Sequence, residues 1–199
     1  SQARVVMSPP IRGKEHQQAL KNALKNRILD LVGTDHCVFT MKQKSMGRTD
    51  FSKIPNGVHG VEDRMGLLWD RFVHTGFIRP SDYVRVTSTE AAQIFNIYPR
   101  KGAVKVGSDA DVIILNPNAT KTISAKTHHQ NIEYSNFEGW KQNGVVETTI
   151  SRGVVVWENG KLSAVKGFGR FIETPPFGKM FDGLTKENEA LAPINVKRD

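Results

Sequence analysis

A single cysteine, Cys37, stands among 199 residues. That excludes an internal disulfide framework and suits a reducing, cytoplasmic setting. With no second cysteine to share a metal, Cys37 is expected to be a small buried core residue and not a ligand. Long apolar runs are also missing, so no transmembrane helix and no membrane partner is expected. The opening SQARVVMSPP carries no apolar stretch of the signal-peptide kind. Basic residues outnumber acidic ones by 28 to 20, yet no basic run with interleaved aromatics forms a stripe for nucleic acid. The densest group is Lys42, Lys44, Arg48 and Lys53, in a loop that also holds Asp50; it reads as a solvated surface. Among six histidines there is no His-x-His pair. His128 and His129 are adjacent, and neighbours in a strand point to opposite faces, so the pair does not read as a metal site. His16, His59 and His74 read as surface or packing residues.

What is present begins with Asp35. The run ILDLVGTDHCVF (28–39) reads as a buried strand through Leu29, Leu31 and Val32, loosened by Gly33-Thr34 and ended on a carboxylate. An ionised aspartate at the end of a buried strand is costly unless a cation or several donors hold it. In a (β/α) barrel, catalytic groups collect at the C-terminal ends of strands. Asp35 taken alone also suits a residue that caps a turn or the next helix.

Periodicity and breakers place the other elements. A strand is expected at 4–7, stopped by Pro9-Pro10, and a helix at 14–27, with Leu20 and Leu24 at i,i+4. The strand at 28–34 is followed by a loop over 40–60, a length that usually marks function. Helices are expected at 61–75, 80–85 and 88–96, the last entered through Thr87-Ser88-Thr89 with Glu90 nearby. From Gly102 the pattern changes to short strands at 104–106, 112–115, 148–151, 154–158 and 162–165, as in an antiparallel β domain. Asn159-Gly160 signals a hairpin.

Several segments then carry a resemblance: VVMSPPIRGKEH, FSKIPNGVHGVEDRM, VTSTEAAQIFNIYPRKG, VGSDADVIILNP, ISAKTHHQNIEYSNFEGW and ISRGVVVWENGKL. In this order they resemble the C-terminal part of the dihydropyrimidinases, cyclic amidohydrolases related to the hydantoinases. IYPRKG and SAKTHHQ resemble the eukaryotic type more than the bacterial hydantoinases. The resemblance weakens only after Pro176.

The resemblance implies an α/β fold: the C-terminal part of a metal-dependent amidohydrolase TIM barrel, then part of a small β-sandwich domain and a tail. Residues 1–101 would be the last strand–helix units of the barrel, 102–170 the C-terminal part of the sandwich, and 171–199 an extended tail able to dock on a neighbouring subunit. Because such enzymes are more than twice as long, the chain is expected to be a piece of a longer, homotetrameric protein and inactive alone. The implied reaction is hydrolytic ring opening of a 5,6-dihydropyrimidine or related small cyclic amide or imide. Its implied cofactor is two zinc ions, held by four histidines, a carboxylated lysine and one aspartate; of these only the aspartate, Asp35, has a match here. Zinc lowers the pKa of bound water to about 7 and polarises the carbonyl, and Asp35 would also carry a proton to the leaving nitrogen. Ser8 and Asn56 match residues whose backbone meets the pyrimidine imide, on loops stiffened by Pro9 and Pro55. Alone, Ser8 also reads as a turn hydroxyl and Asn56 as a turn residue before glycine. His36 would pack behind the site. The contrasting class is the collapsin response mediator proteins, non-enzymatic scaffolds with similar sequences that lack the aspartate at the Asp35 position and differ at the Asn56 position.

Overall fold

In the computed structural model, which describes residues 2–178, 181 and 191–193, a helical half carries a four-stranded antiparallel sheet. The helical half holds α1 (Lys14–Lys25), α2 (Met41–Lys44), α3 (Arg64–Leu68), α4 (Pro80–Val84) and α5 (Glu90–Ile94). The sheet holds β1 (Val112–Thr122), β2 (Lys141–Ser151), β3 (Val154–Glu158) and β4 (Lys161–Leu162), in that spatial order.

Helix α1 buries Leu24 and ends two residues before the expected 27. Arg27 takes a positive φ of 61°, and the amides of Ile28 and Leu29 turn back to the Ala23 carbonyl, closing the helix. The expected strand at 28–34 does not form. Its backbone is satisfied elsewhere: the Val32 amide donates to Val86 O, Arg64 Nη1 donates to Val32 O, and Arg85 donates to Asp30 O. Ile28 is accordingly 75% exposed. The expected strand at 4–7 is a 3-10 turn over Gln2–Val5, since no neighbouring strand offers it a ladder.

The 40–60 segment is folded rather than open. Thr40 and Gln43 form a capping box at the start of α2, and Asp50 accepts from the Ser52 amide to start a 3-10 turn at Phe51–Lys53. Beyond it, α3 runs into a π-helical turn at Trp69–Val73, and α4 continues through another at Arg85–Thr89 into α5. The helices expected at 80–85 and 88–96 are therefore one continuous helical run from Pro80, without a break before 88. The Thr87 hydroxyl donates to the Tyr83 carbonyl one turn back and caps nothing.

Strands β1 and β2 pair from Val112↔Ile150 to Thr122↔Lys141, with an irregularity between Asn116 and Thr120. Pro117 lies there, without the N–H a ladder needs. Both strands are longer than expected. Residues 104–106 form no strand, and Val106 is fully exposed. β3 falls where expected. The Asn159-Gly160 turn has φ of 50° and 79°, as a type I′ hairpin requires.

The two halves meet around Leu68, Ile78 and Tyr83, with Trp69, Phe72, Phe77 and Leu115 against them. Trp69 stands edge-on to Tyr83, with ring centroids 5.3 Å apart. Gly66 and Gly144 bring α3 close to β2; a Cβ on Gly144 would lie 2.2 Å from Trp69 Cδ1. Asp70 accepts from both the backbone and side-chain N–H of Asn143, at 2.9 and 2.7 Å. Burial raises its pKa, but these bonds with Arg71 and His74 hold it below the ordinary carboxylate value. Of the tail expected over 171–199, the Pro175 carbonyl accepts from Asn96 Nδ2, and Phe177 stands edge-on to Phe181. The remainder lies largely outside the described residues.

Candidate active site

Two of the three residues singled out by sequence share one cleft. Ser8 and Asn56, with Val5, Val6, Met7, Pro10, Ile11, Phe51 and Ser52, line a cavity of about 520 Å³. The backbone around them is tied down while their own groups are not. Val6 O accepts from the Gly57 amide at 3.0 Å, whereas no hydrogen bond among the described residues uses the amide or carbonyl of Ser8 or Asn56. That leaves donors and acceptors free in a fixed frame, the arrangement that pairs with a flat imide.

Asp35 is exposed and is not among the cleft residues. Its backbone has a positive φ of 45°, a conformation that short polar side chains tolerate and that gathers at functional sites. The segment that follows it is fastened to the Asn56 loop. His36 and Val58 form a parallel bridge, and the Cys37 amide donates to Val58 O at 3.0 Å. His36 Nδ1 accepts from the amides of Gly60 and Val61, at 3.1 and 3.2 Å, so it is the unprotonated ring nitrogen. A hydrogen in place of a side chain is needed at Gly57, where a Cβ would lie 2.4 Å from Cys37 O. Cys37 itself is exposed, contrary to the core position expected of it, because it sits on this short two-segment contact without a sheet to cover it.

Three features of the surroundings were not legible in the sequence. Lys44, grouped above with surface cations, is fully buried, and its Nζ donates to the carbonyls of Val6, Pro55 and Gly57 at 3.0, 2.6 and 2.8 Å. Burial pushes its ammonium below the ordinary lysine pKa, partly offset by Cys37. His59 is buried between Asp63 and the backbone: Nδ1 lies 3.3 Å from Asp63 Oδ2, and Nε2 accepts from the Asn136 amide at 2.7 Å. The third is the 123–140 connection, which clamps onto the helical half through Tyr134 Oη to Phe39 O and the Met41 amide to Glu133. The capping box at Thr40-x-x-Gln43 was the readable signal for α2, and hence for a lysine on one defined face.

His128 and His129 lie outside any strand and turn to different partners, His128 Nε2 to Ile132 O and His129 Nδ1 to Glu62. Among the described residues no three His, Cys, Asp or Glu side chains gather as a metal site. Asp35, exposed and unpaired among those residues, fits one ligand position, while zinc takes four.

Comparison with known proteins places the chain in a family. The Amidohydrolase family matches residues 9–156, and the chain belongs to that family. It is 54% identical over 186 residues to the dihydropyrimidinase of Arabidopsis thaliana, covering 94% of this chain and 35% of that protein. To dihydropyrimidinase-related protein 5 of Homo sapiens it is 46% identical over 198 residues, covering 98% of this chain and 35% of that protein. The crystal structure of dihydropyrimidinase from Brevibacillus agri matches with a TM-score of 0.87 at 44% identity, covering 89% of this chain and 39% of that one. The chain thus spans 35 to 39% of the length of these relatives. The fold is the mixed α/β fold of amidohydrolases. Among the described residues no helix is long and apolar enough to cross a membrane.

Proposed function

We propose that this chain is the C-terminal part of a dihydropyrimidinase, which opens 5,6-dihydropyrimidine rings by adding water across the ring N–C bond. Dihydrouracil would give N-carbamoyl-β-alanine. The observation that carries the proposal is the shared cleft of Ser8 and Asn56 with their unused backbone groups, beside a segment leading back to Asp35. Residues 1–101 would complete a TIM barrel, 102–170 a β-sandwich, and 171–199 a tail reaching a neighbouring subunit of a cytoplasmic homotetramer.

Ser8 and Asn56 would orient the imide by pairing its alternating C=O and N–H groups. Asp35 would be one ligand of a two-zinc centre whose other ligands lie outside these residues; when bound, zinc supplies a water acidic enough to attack at neutral pH and polarises the carbonyl. The Asp35 carboxylate takes the proton released as water adds to that carbonyl. It returns the proton to the ring nitrogen as the C–N bond breaks, so the leaving group departs as a neutral amide nitrogen.

A non-enzymatic scaffold is the second reading, favoured by the 46% identity to the human dihydropyrimidinase-related protein. Retention of Asp35 and Asn56 speaks for the hydrolase. The deciding experiment assays the intact protein for dihydrouracil hydrolysis, with zinc measured per chain. About two zinc ions and activity that falls at least 10³-fold in Asp35→Asn, the scale of losing a proton carrier, are expected. An intact protein prepared in zinc-replete medium that neither binds zinc nor turns over dihydrouracil or hydantoin would refute the hydrolase.

A further inference from the structure

Lys44 has none of its surface exposed, yet among the described residues it forms no ion pair. Its three N–H donors meet three carbonyls instead: Val6 at 3.0 Å, Pro55 at 2.6 Å and Gly57 at 2.8 Å. A buried ammonium is tolerated only when every donor is used, and here none is left over. The choice of carbonyls is informative. Val6 lies two residues before Ser8, and Pro55 and Gly57 are the two neighbours of Asn56. Val6 O also accepts from the Gly57 amide, so the same carbonyl joins both segments and the lysine.

The lysine reaches this point on a short rigid element. Thr40 and Gln43 cap α2 reciprocally, with the Thr40 amide donating to Gln43 Oε1 at 2.8 Å. The Lys44 amide donates to Thr40 O, and the Phe39 ring lies 5.5 Å from the ammonium. A general core stabiliser would have no reason to pick carbonyls on both sides of one cleft residue.

We propose that Lys44 is the positioning residue of the substrate cleft: one buried cation sets the spacing between the Ser8 and Asn56 segments and thereby the fit for the imide. The proposal rests on the hydrolase reading for its kinetic consequence and on geometry alone for its structural one. Charged hydrogen bonds to backbone carbonyls are stronger than neutral ones, so deleting them should loosen both segments together.

Two measurements on the intact protein test it. In Lys44→Met, which keeps the length and loses the donors, KM for dihydrouracil should rise at least tenfold, with kcat within threefold and zinc content unchanged. Hydrogen exchange at the Gly57 amide should quicken at least tenfold while the β1–β2 amides keep their rates. The exchange reading needs no activity. If the wild-type protein opens no ring, the hydrolase reading falls, and Lys44 is still judged by exchange. If the wild type is active and a folded Lys44→Met keeps both KM and Gly57 exchange, the Lys44 proposal alone falls. Should Lys44→Met not fold, Lys44→Arg keeps the charge on a planar head that cannot serve three convergent carbonyls. It should fold with the same raised KM and faster exchange. Failure of both variants to fold would make Lys44 a general folding determinant and overturn the positioning role.

Discussion

Replacing Gly57 by alanine tests whether close packing of two segments builds the cleft. The added Cβ would stand 2.4 Å from the Cys37 carbonyl oxygen and 3.0 Å from both Cys37 Cβ and Phe39 Cε2. Carbon and carbonyl oxygen settle no closer than about 3.3 Å, so the segments must part by about 1 Å. No flexible side chain can absorb this, because the oxygen belongs to backbone held by the Cys37 amide bond to Val58 O at 3.0 Å. The strain falls on the Gly57 bonds to Val6 O and Lys44 Nζ, at 3.0 and 2.8 Å. Overpacking of this kind costs about 1–3 kcal/mol of stability. A displacement of about 1 Å in a binding segment can cost about 10²-fold in rate. In the intact protein, Gly57→Ala is therefore expected to lower kcat/KM for dihydrouracil by roughly tenfold to hundredfold, mainly through KM, with zinc retained. Denaturant unfolding should show the smaller stability loss alongside it. A variant with unchanged kcat/KM and an unchanged unfolding midpoint would refute the reasoning.

Gly144→Ala attacks the contact between the halves: its Cβ would meet Trp69 Cδ1 at 2.2 Å, and φ is 82°, where a side chain is strained. A loss of about 2–4 kcal/mol is expected in urea unfolding, from overpacking and backbone strain together, without change in the KM of the protein that remains folded. Tyr83 gives a pH dependence. Burial pushes its phenol up to about 12, slightly opposed by Arg64, while its hydroxyl donates to Met65 O at 3.0 Å. The folded state favours the neutral phenol, so its contribution is complete below the unfolded value near 10 and is lost as pH rises from about 10 toward 12. Stability followed across that window should fall in the wild type and fall less in Tyr83→Phe.

Local signals were reliable where the chain satisfies itself locally. Leu20 and Leu24 at i,i+4 and the breakers around them gave α1, and VVVWE ahead of Asn159-Gly160 gave β3 and its turn, because a type I′ turn needs the positive φ that Asn-Gly supplies cheaply. Arg152-Gly153 makes the equivalent turn between β2 and β3, with φ of 48° and 81°, but arginine at its first position hides it. The apolar run at 28–34 misled for a different reason. Alternating large apolar residues report that a segment can be a strand, and the ladder partner decides whether it is one; here Val86, Arg64 and Arg85 take its backbone groups. The hydroxyls at 87–89 looked like a helix start, yet Thr87 spends its hydroxyl on the carbonyl four residues back.

The site divides along the same line, and Lys44 shows why. Sequence composition places Lys42 and Lys44 in one basic cluster, but residues two apart on a helix project to nearly opposite sides. Burying Lys44 therefore leaves Lys42 exposed, as observed. Nothing within α2 says which of the two goes inward. That choice is made by the carbonyls of Val6, 38 residues away, and of Pro55 and Gly57, 11 and 13 residues away. Backbone carbonyls carry no side-chain signature, so no motif records them. Ser8 and Asn56 could be proposed because a pattern of residues marks them, and both line one cleft. The residue that fixes the distance between them is marked only by where its charge can be satisfied, and a net charge of +8 counts it as one more surface cation. Charge-to-alanine scanning of Lys42, Lys44, Arg48 and Lys53 would separate the two kinds, since three exposed members should change stability by less than about 0.5 kcal/mol and the buried one by far more.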